Sequence, residues 1–172
     1  MLPTEEALSA LVDRQEIHHA LMLYCRGVDR CDEELMRSVY HEDATDHHGA
    51  YSGNAWEFVA TFVPASKAES TFTQHAIANL TIDLDGDRAS SEAYFVAYVG
   101  RMDGDQEVID VFGGRYVDQW ERRDKGWGVT DRAVVHEWSR ANAFGSEPFP
   151  LPTELFEQPV RGREDISFAG PR

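Results

Sequence analysis

Three side chains in this sequence have the widest scope for proton chemistry at neutral pH. Tyr24 and Asp29 close an amphipathic helical stretch, and His75 stands alone in the middle of the strand-like run 71–80. An ordinary carboxylate is too acidic to be an effective base at pH 7, whereas an imidazole titrates near neutrality. A carboxylate bonded to one ring nitrogen fixes the tautomer and stabilises the imidazolium formed when the ring takes a proton. His75 is therefore the candidate base and Asp29 its orienting partner. The Tyr24 hydroxyl is the candidate donor to an oxygen on which negative charge develops. Nothing in this set calls for a metal or an organic cofactor. Each residue also has a plain structural reading: a helix-end cap for Asp29, a core histidine bonded to backbone for His75, and a core phenol reaching solvent for Tyr24.

The elements that must position these groups follow from the hydrophobic period. Asp13 and Glu16 form an acidic variant of a capping box, after which Ile17, Ala20, Leu21, Tyr24 and Val28 share one helical face. Gly27 loosens the last turn of that helix. Asp32 is positioned to cap a second helix through Leu35, Met36, Val39 and Tyr40. Asn54 is positioned to cap a third, which carries Trp56, Phe58, Val59 and Phe62 until Pro64 ends it. The stretch from Asp43 to Tyr51 reads as a short strand. From Ser70 the period becomes two, giving strand-like runs at 70–84, 88–102, 106–122 and 127–138. Asp85-Gly86, Asp103-Gly104 and Asp124-Lys125-Gly126 supply the turns of an antiparallel meander. Gly113-Gly114, inside the third run, predicts a bulge or sharp bend that curls the sheet. The result is an α+β cone, with helices packed on a strongly bent antiparallel sheet. One cone domain over residues 1–140 and a Pro-rich extension over 141–172 account for the chain. In the extension, Phe149, Leu151, Leu155 and Phe156 are apolar enough to pack on the domain or on a neighbouring subunit.

A two-residue turn at Asp85-Gly86 sets His75 opposite Val96, with Tyr94 and Tyr98 on the same face. In that register Ile77, Tyr94, Val96, Tyr98, Ile109 and Val111 line a mixed aromatic and aliphatic pocket. A slip of one residue reverses the assignment. His41, Asp46, His47 and His48 are potential metal ligands by type, but neighbouring strand residues point to opposite faces, so His47 and His48 cannot both reach one ion. Either Asp46 or His48 is expected to look into the pocket and bind a polar substituent. His18 and His19 lie among charged residues and read as solvated.

Composition excludes several partners. Sixteen basic residues stand against 31 acidic ones, for a formal charge of −15, so a nucleic acid and an anionic membrane are both disfavoured. No window approaches the roughly 18 apolar residues of a membrane span, and the N-terminus has no signal-peptide pattern. Cys25 and Cys31 lack the spacing of a zinc knuckle and read as free thiols of a cytoplasmic protein.

Taken together, Tyr24-Cys25-Arg26-Gly27-Val28-Asp29-Arg30, His41-Glu42-Asp43-Ala44, the Gly49-to-Gly53 segment and the His75-to-Asn79 strand resemble the SnoaL-like branch of the nuclear transport factor 2-like superfamily. The resemblance covers roughly residues 8–140. That branch includes cofactor-free eliminating enzymes: bile-acid 7α-dehydratase, scytalone dehydratase and hexachlorocyclohexane dehydrochlorinase. It implies an Asp-His pair at Asp29 and His75, a tyrosine at Tyr24 and, on the last strand, an arginine at Arg132. It implies no cofactor. A further acid that the bile-acid enzyme contributes from a middle strand falls nearest Tyr98 here, and Asp110 reaches that position only with a shift of register. The implied activity is a dehydratase-type lyase or a related isomerase acting on a small hydrophobic ring compound such as a steroid, polyketide or aromatic derivative. A homodimer or homotrimer is expected, since the sheet back and the apolar tail need cover. The alternative class is a non-catalytic subunit resembling the small subunits of ring-hydroxylating dioxygenases.

Overall fold

The computed structural model describes residues 3–142, 152–157 and 166. Helix α1 (Glu5–Arg30) begins well before the predicted capping box: Thr4 Oγ1 accepts the Ala7 N–H, and Glu5 and Glu6 complement the positive end of the helix. Asp13 is thus mid-helix and buried, where its carboxylate accepts from Trp127 Nε1 at 3.0 Å and Arg122 Nη1 at 2.5 Å. Its role is to tie α1 to the sheet. At the other end Cys31 adopts a left-handed conformation (φ 49°) that turns the chain sharply. Gly27 is required there by close packing rather than flexibility, because a Cβ at this position would lie 2.6 Å from Met36 Cγ and 2.9 Å from the Met36 backbone nitrogen.

Asp32 and Asn54 cap the next two helices as their sequence positions predict. Helix α2 (Glu33–Arg37) is shorter than expected, with Tyr40 already in a strand. Helix α3 (Ala55–Glu69) runs straight through Pro64. That proline lies on the exposed face, where water can satisfy the carbonyl deprived of its N–H partner. The predicted strand at 43–51 is a hairpin of β1 (Tyr40–His48) and β2 (Tyr51–Asn54), turned at Gly49 (φ 66°).

The meander forms as predicted from β3 (Phe72–Asp85), β4 (Arg88–Asp103), β5 (Gln106–Arg123) and β6 (Gly126–Asn142). The six strands make one sheet in the order β2-β1-β6-β5-β4-β3, antiparallel except where β1 runs parallel to β6. A register shift falls at Gly113/Gly114, and Gly114 faces Phe95 at a distance no Cβ could occupy. The core lies between the concave face and the helices. It contains Ile17, Leu21, Tyr24 and Val28 from α1, Val59 from α3, and Tyr116, Trp120, Val129 and Val134 from the sheet.

The β3–β4 register differs from the predicted one, with a decisive consequence. The two loop residues are Gly86 (φ 61°) and Asp87, since Asp85 pairs with Arg88. Between Ile77/Phe95 and Leu80/Ala93, β3 advances three residues while β4 advances two, so β3 carries a bulge at Ala78-Asn79. Together the two effects set His75 opposite Ala97 rather than Val96. Every β4 and β5 side chain beside the histidine therefore belongs to the other alternation.

Candidate active site

Asp29 occupies the last turn of α1, where a carboxylate is disfavoured by the helix dipole. It is held by β3. Oδ2 accepts the His75 backbone N–H at 3.0 Å, and Oδ1 lies 2.7 Å from His75 Nδ1. With the side chains only 13 % and 11 % exposed, this double contact aligns the ring and leaves Nε2 as its free nitrogen.

The imidazole stands in the wall of a cavity of about 340 Å³, within the range of small-molecule sites. Tyr24 and Val28 from α1, Phe62, Ser66 and Glu69 from α3, and Phe95, Ala97, Val99, Phe112, Tyr116 and Val134 from the sheet contribute to the lining. Arg101 and Asp110, joined by a 2.7 Å ion pair, stand in the wall as well. Phe156 also lines the cavity, its ring tilted by 43° against His136 at 5.6 Å between ring centroids. Phe149 and Leu151 lie outside the described residues. Leu155 is exposed.

Of the residues predicted at the site, Tyr24, Asp29, His75 and His48 come together around this cavity, Asp29 through His75. Burial holds the Tyr24 phenol far above its ordinary pKa, the nearby Arg132 charge only partly opposing it, so the hydroxyl keeps its proton. Arg132 does not line the cavity. It is fully buried behind Tyr24, with its guanidinium 4.1 Å from the Tyr24 ring centroid and 4.4 Å from that of Tyr116. It bonds Asp118 through two contacts of 2.7 Å. Asp46 is likewise one layer back, accepting from Tyr40 at 2.7 Å. Ile77 shares the face of His75 but packs into the core.

The register correction removes the remaining five. Tyr94 and Tyr98, each 39 % exposed, are on the outer face of the sheet, as are Val96, Ile109 and Val111. Their neighbours Phe95, Ala97, Val99, Asp110 and Phe112 take the places assigned to them. The missed signal is the broken alternation in β3: Ile77 and Leu80 both face the core, three residues apart, which only a bulge allows. His136 was also missed. Burial lowers its pKa, only partly opposed by the Trp138 backbone, and so favours the neutral ring.

His41, His47 and His48 do not assemble a metal centre. His41 meets the Glu121 carbonyl and His47 meets Ser52, while His48 turns inward. Among the described residues no three potential ligands cluster. Cys25 and Cys31 are both free, and burial pushes the Cys25 thiol up to about 12, which leaves it unreactive at neutral pH. Among the described residues no helix is long and apolar enough to cross a membrane.

A helix-backed, curved and unclosed sheet with a lined hollow is a fold shared with nuclear transport factor 2-like structures. Residues 9–133 match the model of the SnoaL-like domain, and the chain belongs to that family. Solved structures agree on the fold. A protein from Novosphingobium aromaticivorans, provisionally named an aromatic ring hydroxylase, is 23% identical with a TM-score of 0.69, covering 77% of this chain and 94% of its own. Another from that organism, provisionally named a scytalone dehydratase, is 15% identical with a TM-score of 0.69, covering 81% and 93%. A hexachlorocyclohexane dehydrochlorinase from Novosphingobium barchaimii is 18% identical with a TM-score of 0.66, covering 83% and 97%. No curated protein matches the chain significantly.

Proposed function

We propose that the protein is a cofactor-independent lyase that removes a proton beside a carbonyl group and expels water or a comparable leaving group from a hydrophobic ring compound. A steroid, polyketide or aromatic derivative is the substrate class. The observation that carries this reading is the 2.7 Å contact between Asp29 and His75 Nδ1 in the wall of a largely apolar hollow. His75 Nε2 takes the proton, Asp29 stabilises the resulting imidazolium, and Tyr24 donates to the enolate oxygen. Arg132 acts from behind, where its charge backs the Tyr24 ring. An isomerase that returns the proton elsewhere on the substrate would use the same groups.

The names of two structural relatives, a scytalone dehydratase and a dehydrochlorinase, denote eliminations and agree with this chemistry. A purely structural subunit would have no use for an oriented imidazole facing a cavity. Assembly into dimers or trimers, in the cytoplasm, completes the proposal. It is supported by the exposed Tyr94, Tyr98, Met102 and Trp138, and light scattering that returned a monomer mass would reject it. The functional test is turnover of a panel of cyclic and aromatic β-hydroxy ketones by the wild type and by His75→Ala. Elimination that persists in the variant would refute the assignment of the base.

A further inference from the structure

The cavity is lined by a second imidazole, backed by a buried carboxylate, that the reading above leaves unused. On β1, Asp46 and His48 are two residues apart and so face the same way. Asp46 is completely buried, with Oδ2 accepting from the Tyr40 hydroxyl at 2.7 Å and Oδ1 standing 3.4 Å from His48 Nδ1. The His48 ring stacks on Phe58 at 4.7 Å between centroids with 17° between planes, and it lines the same cavity as His75. Nδ1 of His48 is sealed against Asp46, which leaves Nε2 for whatever occupies the hollow. The pairing is looser than the 2.7 Å hydrogen bond of Asp29 and His75, an ion-pair contact of 3.4 Å, and it lies on a different wall, since β1 and β3 are at well-separated positions in the sheet order.

Eliminating water poses a problem that one imidazole does not solve. Hydroxide is a poor leaving group, so an acid must supply a proton as the C–O bond breaks. Tyr24 is badly suited to that transfer because burial makes its phenol a weaker acid. An imidazolium backed by a buried carboxylate is much better suited. Asp46 stays ionised: burial raises its pKa, but His48, Arg132 and Tyr40 together outweigh burial and bring it below the ordinary value.

We propose that His48 is the general acid of the elimination and Asp46 its positioning residue. His75 Nε2 takes the proton from the carbon beside the carbonyl, and the C–H electron pair becomes the new C=C bond. The C–O pair leaves with the oxygen, which takes a proton from Nε2 of protonated His48 and departs as water. His75 then carries a proton and His48 has lost one, and exchange with solvent restores both without oxidant or reductant. The inference rests on the lyase reading and adds to it that the leaving group is one that must be protonated.

The test uses two probes that differ only in the leaving group, 4-hydroxy-4-phenylbutan-2-one and its 4-acetoxy ester. Both eliminate to the same conjugated enone, followed by ultraviolet absorbance. Acetate leaves without a proton, whereas hydroxide does not. His48→Gln and Asp46→Asn, each checked for folding by circular dichroism, are expected to slow the alcohol at least about 30-fold more than the ester, within the usual range for general-acid catalysis. His75→Ala is expected to lose both. Equal slowing of the two probes, or no slowing, would overturn the acid role, as would a wild type that eliminates acetate but not water. A wild type that eliminates neither would overturn the lyase reading and this inference with it.

Discussion

Replacing Asp29 by Asn separates a catalytic role from a structural one, because the two side chains are nearly isosteric and differ in what they offer His75. The carboxylate accepts twice, from the His75 backbone N–H at 3.0 Å and from ring Nδ1 at 2.7 Å. Asparagine can still accept the backbone N–H through its oxygen, but its NH₂ then faces Nδ1. That donor requires a lone pair on Nδ1, so the ring proton moves to Nε2, the nitrogen that has to act as base. By comparison with the aspartate-to-asparagine change in serine proteases, a worked case for this kind of tautomer reversal, turnover should fall about 10³- to 10⁴-fold. Stability should change far less. Hydrogen bonds to a charged acceptor are worth about 2 kcal/mol against about 1 for neutral ones, so two bonds lose about 2 kcal/mol. Removing a negative charge from the last helical turn returns about 0.5 kcal/mol, for a net loss of about 1.5. That corresponds to a fall in Tm of about 3–6 °C for a chain of this size. The assays are elimination of the acetoxy probe, calorimetry, and nitrogen-15 NMR of the His75 ring, which distinguishes the tautomers. Activity within about tenfold of wild type, with the proton still on Nδ1, would refute the reasoning. Loss of the folded state would move Asp29 to a structural role.

Three further outcomes follow from the packing and electrostatics. Gly27→Ala, which would stabilise an ordinary exposed helix interior, is expected to destabilise by about 1–3 kcal/mol because its methyl meets Met36, and urea denaturation measures the sign. Arg132→Met strands the fully buried Asp118 carboxylate and should cost about 3–5 kcal/mol, whereas the double variant Arg132→Met/Asp118→Leu should recover part of that loss. His136 has a lowered pKa in the folded state, so the unfolded chain binds its proton first as the pH falls. Its stabilising effect is present above the unfolded value of about 6.5 and is lost below it. His136→Gln should therefore flatten the fall in Tm between about pH 7 and pH 5, and an unchanged slope would count against a buried neutral ring.

Local chemistry wrote much of this molecule directly into the sequence. Asp32 and Asn54 mark helix starts because a short side-chain oxygen meets an orphan N–H. The glycine turns mark the meander, and the run of alternating residues fixes four strands. The candidate pair of Asp29 and His75, 46 residues apart, was legible because each side chain ends an element or stands alone on a strand of matching type. The helix start at Thr4 was not, since Asp13 mimics a cap while serving Trp127 and Arg122, which lie more than 100 residues away.

Only the tertiary structure decided which face of the sheet lines the cavity. Side chains alternate with a period of two, so a single bulge at Ala78-Asn79 and a one-residue offset in the turn exchange Tyr94, Val96 and Tyr98 for Phe95, Ala97 and Val99. The same holds for depth. Sequence offers Arg132, Asp46 and His48 as comparable polar residues, but burial and partner choice put Arg132 on Asp118 behind Tyr24, Asp46 against Tyr40, and His48 in the cavity. Spacing along a chain sets which groups an element carries, while register and packing between elements set which of them face the same space.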